Sequence, residues 1–146
     1  MKMTIGKFIV LDGPDGSGKT TQTQRLVEIL KDQGFKVIKV REPGITVAGE
    51  KIRDILLTTT MEPLTELMLF TAARTELIKK VILPYLETGH IVVCDRFTDS
   101  TYAYQGAGRG IKEEVLKMEE FINVLVKPDL TFYFNVDLKV AKDRCF

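Results

Sequence analysis

Apolar positions along this chain switch between two periods. Apolar-rich runs of strand length stand at Lys7 to Leu11, Phe35 to Val40, His90 to Cys94 and Leu130 to Val136. Between them the apolar residues recur at helical spacing. Gln22 to Gln33 reads as one helix, closed by Gln33-Gly34. Ala48 to Leu57 reads as a short amphipathic one, with Ile52, Ile55 and Leu56 on one side. Pro63 suits a first helical turn and opens the longest helix, to about Leu86, along which Leu67, Phe70, Leu77, Ile78 and Val81 keep the spacing. Pro84 is expected to kink its end. Further helices are predicted from Asp99 to about Gln105 and from Lys112 to about Val126, with a flexible glycine-rich loop at Gly106 to Gly110 between them. Leu138 begins a last helix.

Strands alternating with helices predict βαβ units, hence an α/β fold with a parallel sheet flanked by helices. Ligands of such sheets bind beyond the carboxyl ends of the strands. Three unusual segments fall there: Gly13 to Thr21, Arg41-Glu42-Pro43-Gly44, and Asp95-Arg96. One site is expected at that end.

The first of these is the most specific. Gly13-Pro14-Asp15-Gly16-Ser17-Gly18-Lys19-Thr20-Thr21 follows a strand, precedes a helix and fits G-x-x-x-x-G-K-[ST]. Glycines let backbone N–H groups turn inward around a polyphosphate, and the helix N-terminus adds partial positive charge. Lys19 can reach the β- and γ-phosphates, and the Thr20 hydroxyl can ligate Mg²⁺.

Composition narrows the class. The 146 residues are 45% apolar and 28% charged, which suits one soluble globular domain spanning residues 1–146. A formal net charge of +1 makes no general electrostatic case for a nucleic acid or membrane partner, so phosphate recognition must be local. Cys94 and Cys145 fit no metal spacing, Cys94 reads as a buried thiol, and Met1 to Lys7 lacks the apolar block of a signal peptide. A cytoplasmic protein is the expectation.

Asp95 follows an apolar strand, where a nucleoside-triphosphate-binding fold puts its acidic metal partner, and Arg96 offers a planar fork for a phosphate. The plainer reading is a strand-end salt bridge. Phe70 and Arg74 share a helix face at i and i+4. Arg74 either snorkels to solvent over an apolar stem or, beside an aromatic plate, reads the carbonyl edge of a planar base. Thr101-Tyr102-Ala103-Tyr104-Gln105 gathers hydroxyls and an amide ahead of the glycine-rich loop. His90 reads as structural and Lys112-Glu113-Glu114 as a solvated helix start.

Taken together, these segments resemble the bacterial type of thymidylate kinase, a P-loop nucleoside monophosphate kinase family. The resemblance runs from Lys7 onward and rests on the phosphate loop with Asp15 inside it and on R-E-P-G at Arg41 to Gly44. It rests further on L-M-L-F-T-A-A-R at Leu67 to Arg74, D-R-F at Asp95 to Phe97, Y-Q-G-A-G-R-G at Tyr104 to Gly110 and P-D-L-T at Pro128 to Thr131. It implies a three-layer P-loop NTPase fold and transfer of the γ-phosphoryl of ATP to dTMP, with Mg²⁺, giving dTDP on the route to dTTP. By that resemblance the catalytic set would be Lys19, Asp15, Arg96 and Asp95, and Thr20 and Asp95 would lie at the metal. Asp15 would hold the sugar 3′-hydroxyl, Phe70 would stack on thymine, and Arg74 would bind its carbonyl edge. Arg96 would hold the acceptor phosphate, Arg41 and Thr101 would line the pocket, and Tyr104 and Gln105 would close over the sugar. A homodimer is implied as well, through apolar positions in Leu64 to Ile82 and Phe121 to Val126.

The alternatives are another nucleoside monophosphate kinase, for dUMP for instance, or a nucleotide-binding module without turnover. Two departures from the family pattern stand out. Ile45 follows R-E-P-G where the family usually has a further glycine. The chain also reads as a domain incomplete at its C-terminus: the family's basic lid, further helices and last strand do not follow Phe146. Arg144 is expected to lie in an unanchored segment, next to an exposed sheet edge.

Overall fold

The computed structural model of the protein describes residues 5–145. The predicted ends at Met1 and Phe146 lie outside them. The chain forms two compact units. The first comprises the described parts of Met1–Val40, Tyr85–Phe97 and Pro128–Phe146, and the second comprises Arg41–Pro84 and Thr98–Lys127.

The first unit is built on the sheet. Strands β1 (Lys7–Asp12), β2 (Val37–Arg41), β3 (Ile91–Asp95) and β4 (Leu130–Tyr133) lie in the order β2-β3-β1-β4. β1 is central and pairs in parallel with both neighbours, with Leu11 opposite Asp95 and Asp12 opposite Tyr133. Parallel pairing requires crossover connections, which is why the strands are separated by helices. Leu11, Val27, Val37 and Val93 form a buried cluster on which Leu26, Leu30 and Phe134 also pack. Helix α1 (Lys19–Asp32) therefore buries its Val27 side on the sheet. Phe8 and Phe97 meet edge to face at 5.1 Å.

β4 ends at Tyr133, short of the predicted Val136. β1 turns into the loop at Gly13, and the Phe134 N–H bond to the Asp12 carbonyl, 2.8 Å, uses up β1's last acceptor. Helix α7 (Leu138–Cys145) follows, its start held by Asp137, whose carboxylate accepts from Lys139 N at 2.8 Å. Arg144, expected to be unanchored, is tied down here. Its NH1 donates to the Gly16 carbonyl at 3.4 Å, Ala141 is buried, and a Cβ on Gly16 would collide with the Ala141 carbonyl. Gly16, at φ 76, has to be glycine on both counts.

The second unit is helical. Helix α2 (Val47–Thr58) is capped by the Thr46 hydroxyl, which accepts from Gly49 N. Of its predicted apolar side, Ile52 and Leu56 are half-buried but Ile55 is exposed. Helix α3 (Pro63–Leu77) opens on Pro63, as predicted, and buries Leu67 and Leu77. The chain then widens into a π turn (Ile78–Ile82) before a short helix α4 (Leu83–Glu87). Pro84 has no N–H to give, and the expected kink takes this form. Leu83 N reaches back to Ile78 O, spacing the ladder around the proline.

A second correction concerns Gly106 to Gly110. Helix α5 (Thr98–Thr101) runs into a further π turn (Tyr102–Ala107), and Gly108 and Arg109 remain helical, so only Gly110, at φ 74, breaks the chain. The glycines misled because side chains outside the segment hold it, as described below. Helix α6 (Lys112–Leu125) closes the unit and buries Val115 and Ile122.

Candidate active site

The predicted site residues fall into two groups, one in each unit. In the first unit, β1 delivers the loop and β3 delivers Asp95-Arg96. Because Leu11 is in register with Asp95, the adjacent strand ends bring these segments side by side. Gly18, at φ 88, precedes the helix without a side-chain cap, so the first-turn N–H groups of α1 are left to a ligand. The helix begins at Lys19 rather than at the predicted Gln22, which puts Lys19, Thr20 and Thr21 in that first turn.

The Thr20 hydroxyl donates to Asp95 Oδ2 at 2.9 Å, so the predicted metal pair converges. Lys19 is 5% exposed, with Nζ 3.4 Å from the Pro14 carbonyl and 3.8 Å from Asp15 Oδ1. Its pKa lies below the ordinary lysine value, chiefly through burial and secondly through the Arg96 charge, against the pull of Asp95, Asp15 and Asp12. Arg96 NH2 bonds Asp15 Oδ1 at 2.5 Å, while the Asp15 side chain stays 74% exposed. The salt-bridge reading of Arg96 thus holds too, with Asp15 as the near partner and Asp12 at longer range. Arg96 has φ 74, a conformation costing a non-glycine residue roughly 1–2 kcal/mol, and its N–H is fastened to the Leu11 carbonyl at 3.0 Å.

Asp12 escaped the sequence analysis. It is buried, accepts from Gly13 N at 2.8 Å and from Phe97 N at 3.4 Å, and lies 3.9 Å from Arg96 NH1. The available signal was an acid closing an apolar strand directly before the first loop glycine.

In the second unit the second group gathers around α3. Phe70 lines a cavity of about 370 Å³ with Pro43, Leu56, Glu66 and Arg109. Arg74 does not snorkel. It is 4% exposed, its Nε donates to Glu42 Oε2 at 2.6 Å, and its NH2 donates to the Thr101 hydroxyl at 2.8 Å. That resolves the expense of a buried arginine, with a partner that the helix pattern could not name.

Arg41 donates through NH1 to the Pro43 carbonyl and through NH2 to Glu50 Oε1, both at 2.8 Å, and Arg53 NH1 shares the Pro43 carbonyl at 3.0 Å. Glu50 also accepts from Ile45 N at 2.6 Å. This backbone donor, more than the arginines, holds the Glu50 carboxyl below its usual range. Tyr104 is half exposed, whereas Gln105 is buried and donates to Glu66 Oε1 at 2.7 Å. Glu42, Glu50, Arg53 and Glu66 were all missed.

Comparison with known proteins decides the family. The thymidylate kinase family model matches residues 11–146. The chain belongs to the thymidylate kinase family. It is 46% identical over 143 residues to the thymidylate kinase of Ectopseudomonas mendocina, covering 95% of this chain and 68% of that one. It is 47% identical over 140 residues to that of Bordetella pertussis, covering 95% and 67%. The crystal structure of thymidylate kinase from Ehrlichia chaffeensis superposes with a TM-score of 0.83 at 40% identity, covering 95% of this chain and 81% of that one. The four-stranded parallel sheet with its flanking helices is the P-loop kinase fold of this family.

The residues present fit a nucleoside triphosphate and its cation. The Ser17 hydroxyl is buried with no hydrogen-bond partner, an arrangement that a phosphate oxygen would satisfy. No group of three or more His, Cys, Asp or Glu able to hold a metal is found among the described residues. A Mg²⁺ ion would need none, since it is usually held by one or two protein oxygens plus substrate phosphates, and Thr20 and Asp95 are placed to supply them.

Proposed function

We propose that this protein is an ATP:dTMP phosphotransferase that uses Mg²⁺, giving dTDP on the way to dTTP. The observation that carries the reading is the first unit's loop. A buried lysine, an uncapped helix start, an orphaned Ser17 hydroxyl and the Thr20–Asp95 pair stand together in a chain of this family. Phosphoryl transfer asks little covalent work of a protein, so these groups act by position and charge. Lys19 neutralises charge on the transferred phosphoryl. Thr20 and Asp95 are the residues that would hold the cation, which would supply positive charge to offset that of the phosphates. Arg96, freed from Asp15, takes the acceptor phosphate, and Asp15 then serves the sugar hydroxyl. In the second unit Phe70 stacks on the base, Arg74 is aimed by Glu42 and Thr101 at its edge, and Arg41, Tyr104 and Gln105 complete the acceptor pocket.

A coupled ADP-release assay over a panel of nucleoside monophosphates tests this. We expect dTMP to be the preferred acceptor. Preference for another monophosphate, or tight ATP binding without turnover, would refute it.

We also infer a homodimer in the cytoplasm. Leu64 and Met68 on α3, with Phe121 and Val124 on α6, are exposed apolar side chains of the second unit, and no ligand in this reading covers them. Sedimentation at micromolar concentration showing only monomer would count against the dimer. Neither Cys94 nor Cys145 is joined in a disulfide, which suits a reducing compartment and is checked by fractionation.

A further inference from the structure

We propose that Glu66 is a positioning residue of the acceptor site, holding the Tyr102–Arg109 segment in place through both of its carboxylate oxygens. The inference rests on the dTMP-binding role proposed above for the second unit.

The segment cannot hold itself. Tyr102-Ala103-Tyr104-Gln105-Gly106-Ala107-Gly108-Arg109-Gly110 carries three glycines, and its first part is a π turn, a rare form that is frequent at functional sites. Its position must come from contacts outside itself: it packs on α6, and Glu66 adds two side-chain ties. Oε1 accepts from Gln105 Nε2 at 2.7 Å, and Oε2 accepts from Arg109 NH2 at 2.9 Å. The Glu66 side chain is 15% exposed, so the carboxylate is largely desolvated, and charge-assisted bonds of this kind are the strong ones.

The placement gives the clamp its purpose. Glu66 stands in the first turn of α3, one helical repeat before Phe70 and two before Arg74, on the same face. Glu66 and Arg109 also line the cavity that Phe70 lines. A carboxylate only accepts, so it fixes the Gln105 amide with its NH₂ toward α3. Position 66 therefore sets where Gln105 and its neighbour Tyr104 lie relative to the aromatic plate. A glutamine at 66 would present an NH₂ to one of the two donors and lose that bond.

The test is steady-state kinetics on the complete protein with Glu66→Gln and Arg109→Ala. Glu66→Gln is expected to raise KM for dTMP about tenfold, the loss of one charge-assisted bond, with KM for ATP within about twofold of wild type. Arg109→Ala removes one tie from a half-exposed side chain and is expected to raise the same KM about threefold. A role confined to stability would lower the melting temperature without separating the two KM values. Unchanged KM for dTMP in Glu66→Gln, or an equal rise for both substrates, overturns the proposal. Should Glu66→Gln fail to fold, an unchanged KM in Arg109→Ala overturns it instead. If the wild type prefers another monophosphate, the substrate assignment has failed, and the same comparison is read on that acceptor.

Discussion

The phosphate-loop region and the helical region around α3 hold their charged groups in opposite ways. In the loop, the groups that matter are neighbours in sequence, or sit on adjacent strand ends, and several are left unsatisfied. The Ser17 hydroxyl has no partner, α1 has no side-chain cap, and Lys19 is buried with a depressed pKa. Around α3 the charged and amide groups of the acceptor reading are tied to one another: Arg74 with Glu42 and Thr101, Gln105 and Arg109 with Glu66, Arg41 with Glu50. A polyphosphate brings its own charge and can be met by an incomplete cradle. A neutral base brings little charge, so the side chains that read it must be fixed beforehand by one another.

Breaking the loop side has the largest expected effect. Lys19→Ala should lower kcat by about 10²–10³-fold, the scale for losing one preorganised charge at a developing anion. The melting temperature should stay level or rise, because burial disfavours the lysine's charged form in the free protein. A normal rate would remove the basis of the functional reading, and a collapsed fold would mean that Lys19 is structural.

On the other side the cost should appear in stability. Glu42→Ala leaves Arg74 buried without its carboxylate, and about 3–5 kcal/mol of stability should be lost on denaturant unfolding. Replacing the pair together, as Glu42→Leu with Arg74→Met, should restore most of that, since apolar side chains of similar volume can substitute for a buried ion pair. Binding of dTMP should not return, while ATP affinity should stay near wild type. Recovery of dTMP binding in the double variant would show that Arg74 serves only the fold.

The same contrast explains what could be read from the sequence. The loop, α1 and β3-Asp95 were legible because strand, glycines, lysine and threonine act within a few residues of one another. The acceptor side was legible only as candidates. Phe70 and Arg74 announced themselves by helical spacing, but Glu42 lies 32 residues from Arg74, and Glu66 lies 39 from Gln105. No local period records such pairs. The glycine-rich stretch read as a flexible loop for the same reason, since part of its hold comes from Glu66 and part from packing on α6. Arg144 read as loose because its partner is a backbone carbonyl at Gly16, 128 residues away.

The phosphate-loop unit has a long-range carboxylate of its own, and it gives a pH signature. Asp129 accepts from Phe8 N at 2.8 Å and from Lys7 Nζ at 3.0 Å. The N–H first, and then Lys7, hold its carboxyl below the usual 3.8. A depressed carboxylate contributes stability that is present above its unfolded pKa and lost as pH falls through the folded one. Asp129→Asn should therefore be less stable than wild type near neutrality, and the difference should shrink as pH falls below about 3.8. A gap that stays constant down to pH 2 would mean that shape, not charge, holds β1 there.

The smallest expected effect tests how closely the second unit's backbone is fitted to its pairs. Ile45 has φ 74, and the φ of a β-branched residue there is strained by roughly 1–2 kcal/mol. The turn holds because Ile45 N donates to Glu50 Oε1 at 2.6 Å, and that same oxygen receives Arg41 NH2 at 2.8 Å. Ile45 is 41% exposed, so removing its side chain also gives up some apolar burial. Ile45→Gly relieves the strain but loosens the unfolded chain, an opposing term of about 0.4–1 kcal/mol. The net expectation is a gain of up to about 1 kcal/mol on denaturant unfolding, with KM for dTMP unchanged because the amide still reaches Glu50. A loss of stability would show that the side chain packs more than its exposure suggests. A changed KM would show instead that the strained turn sets where Arg41 points, and that the acceptor side is tuned through its backbone as well as through its carboxylates.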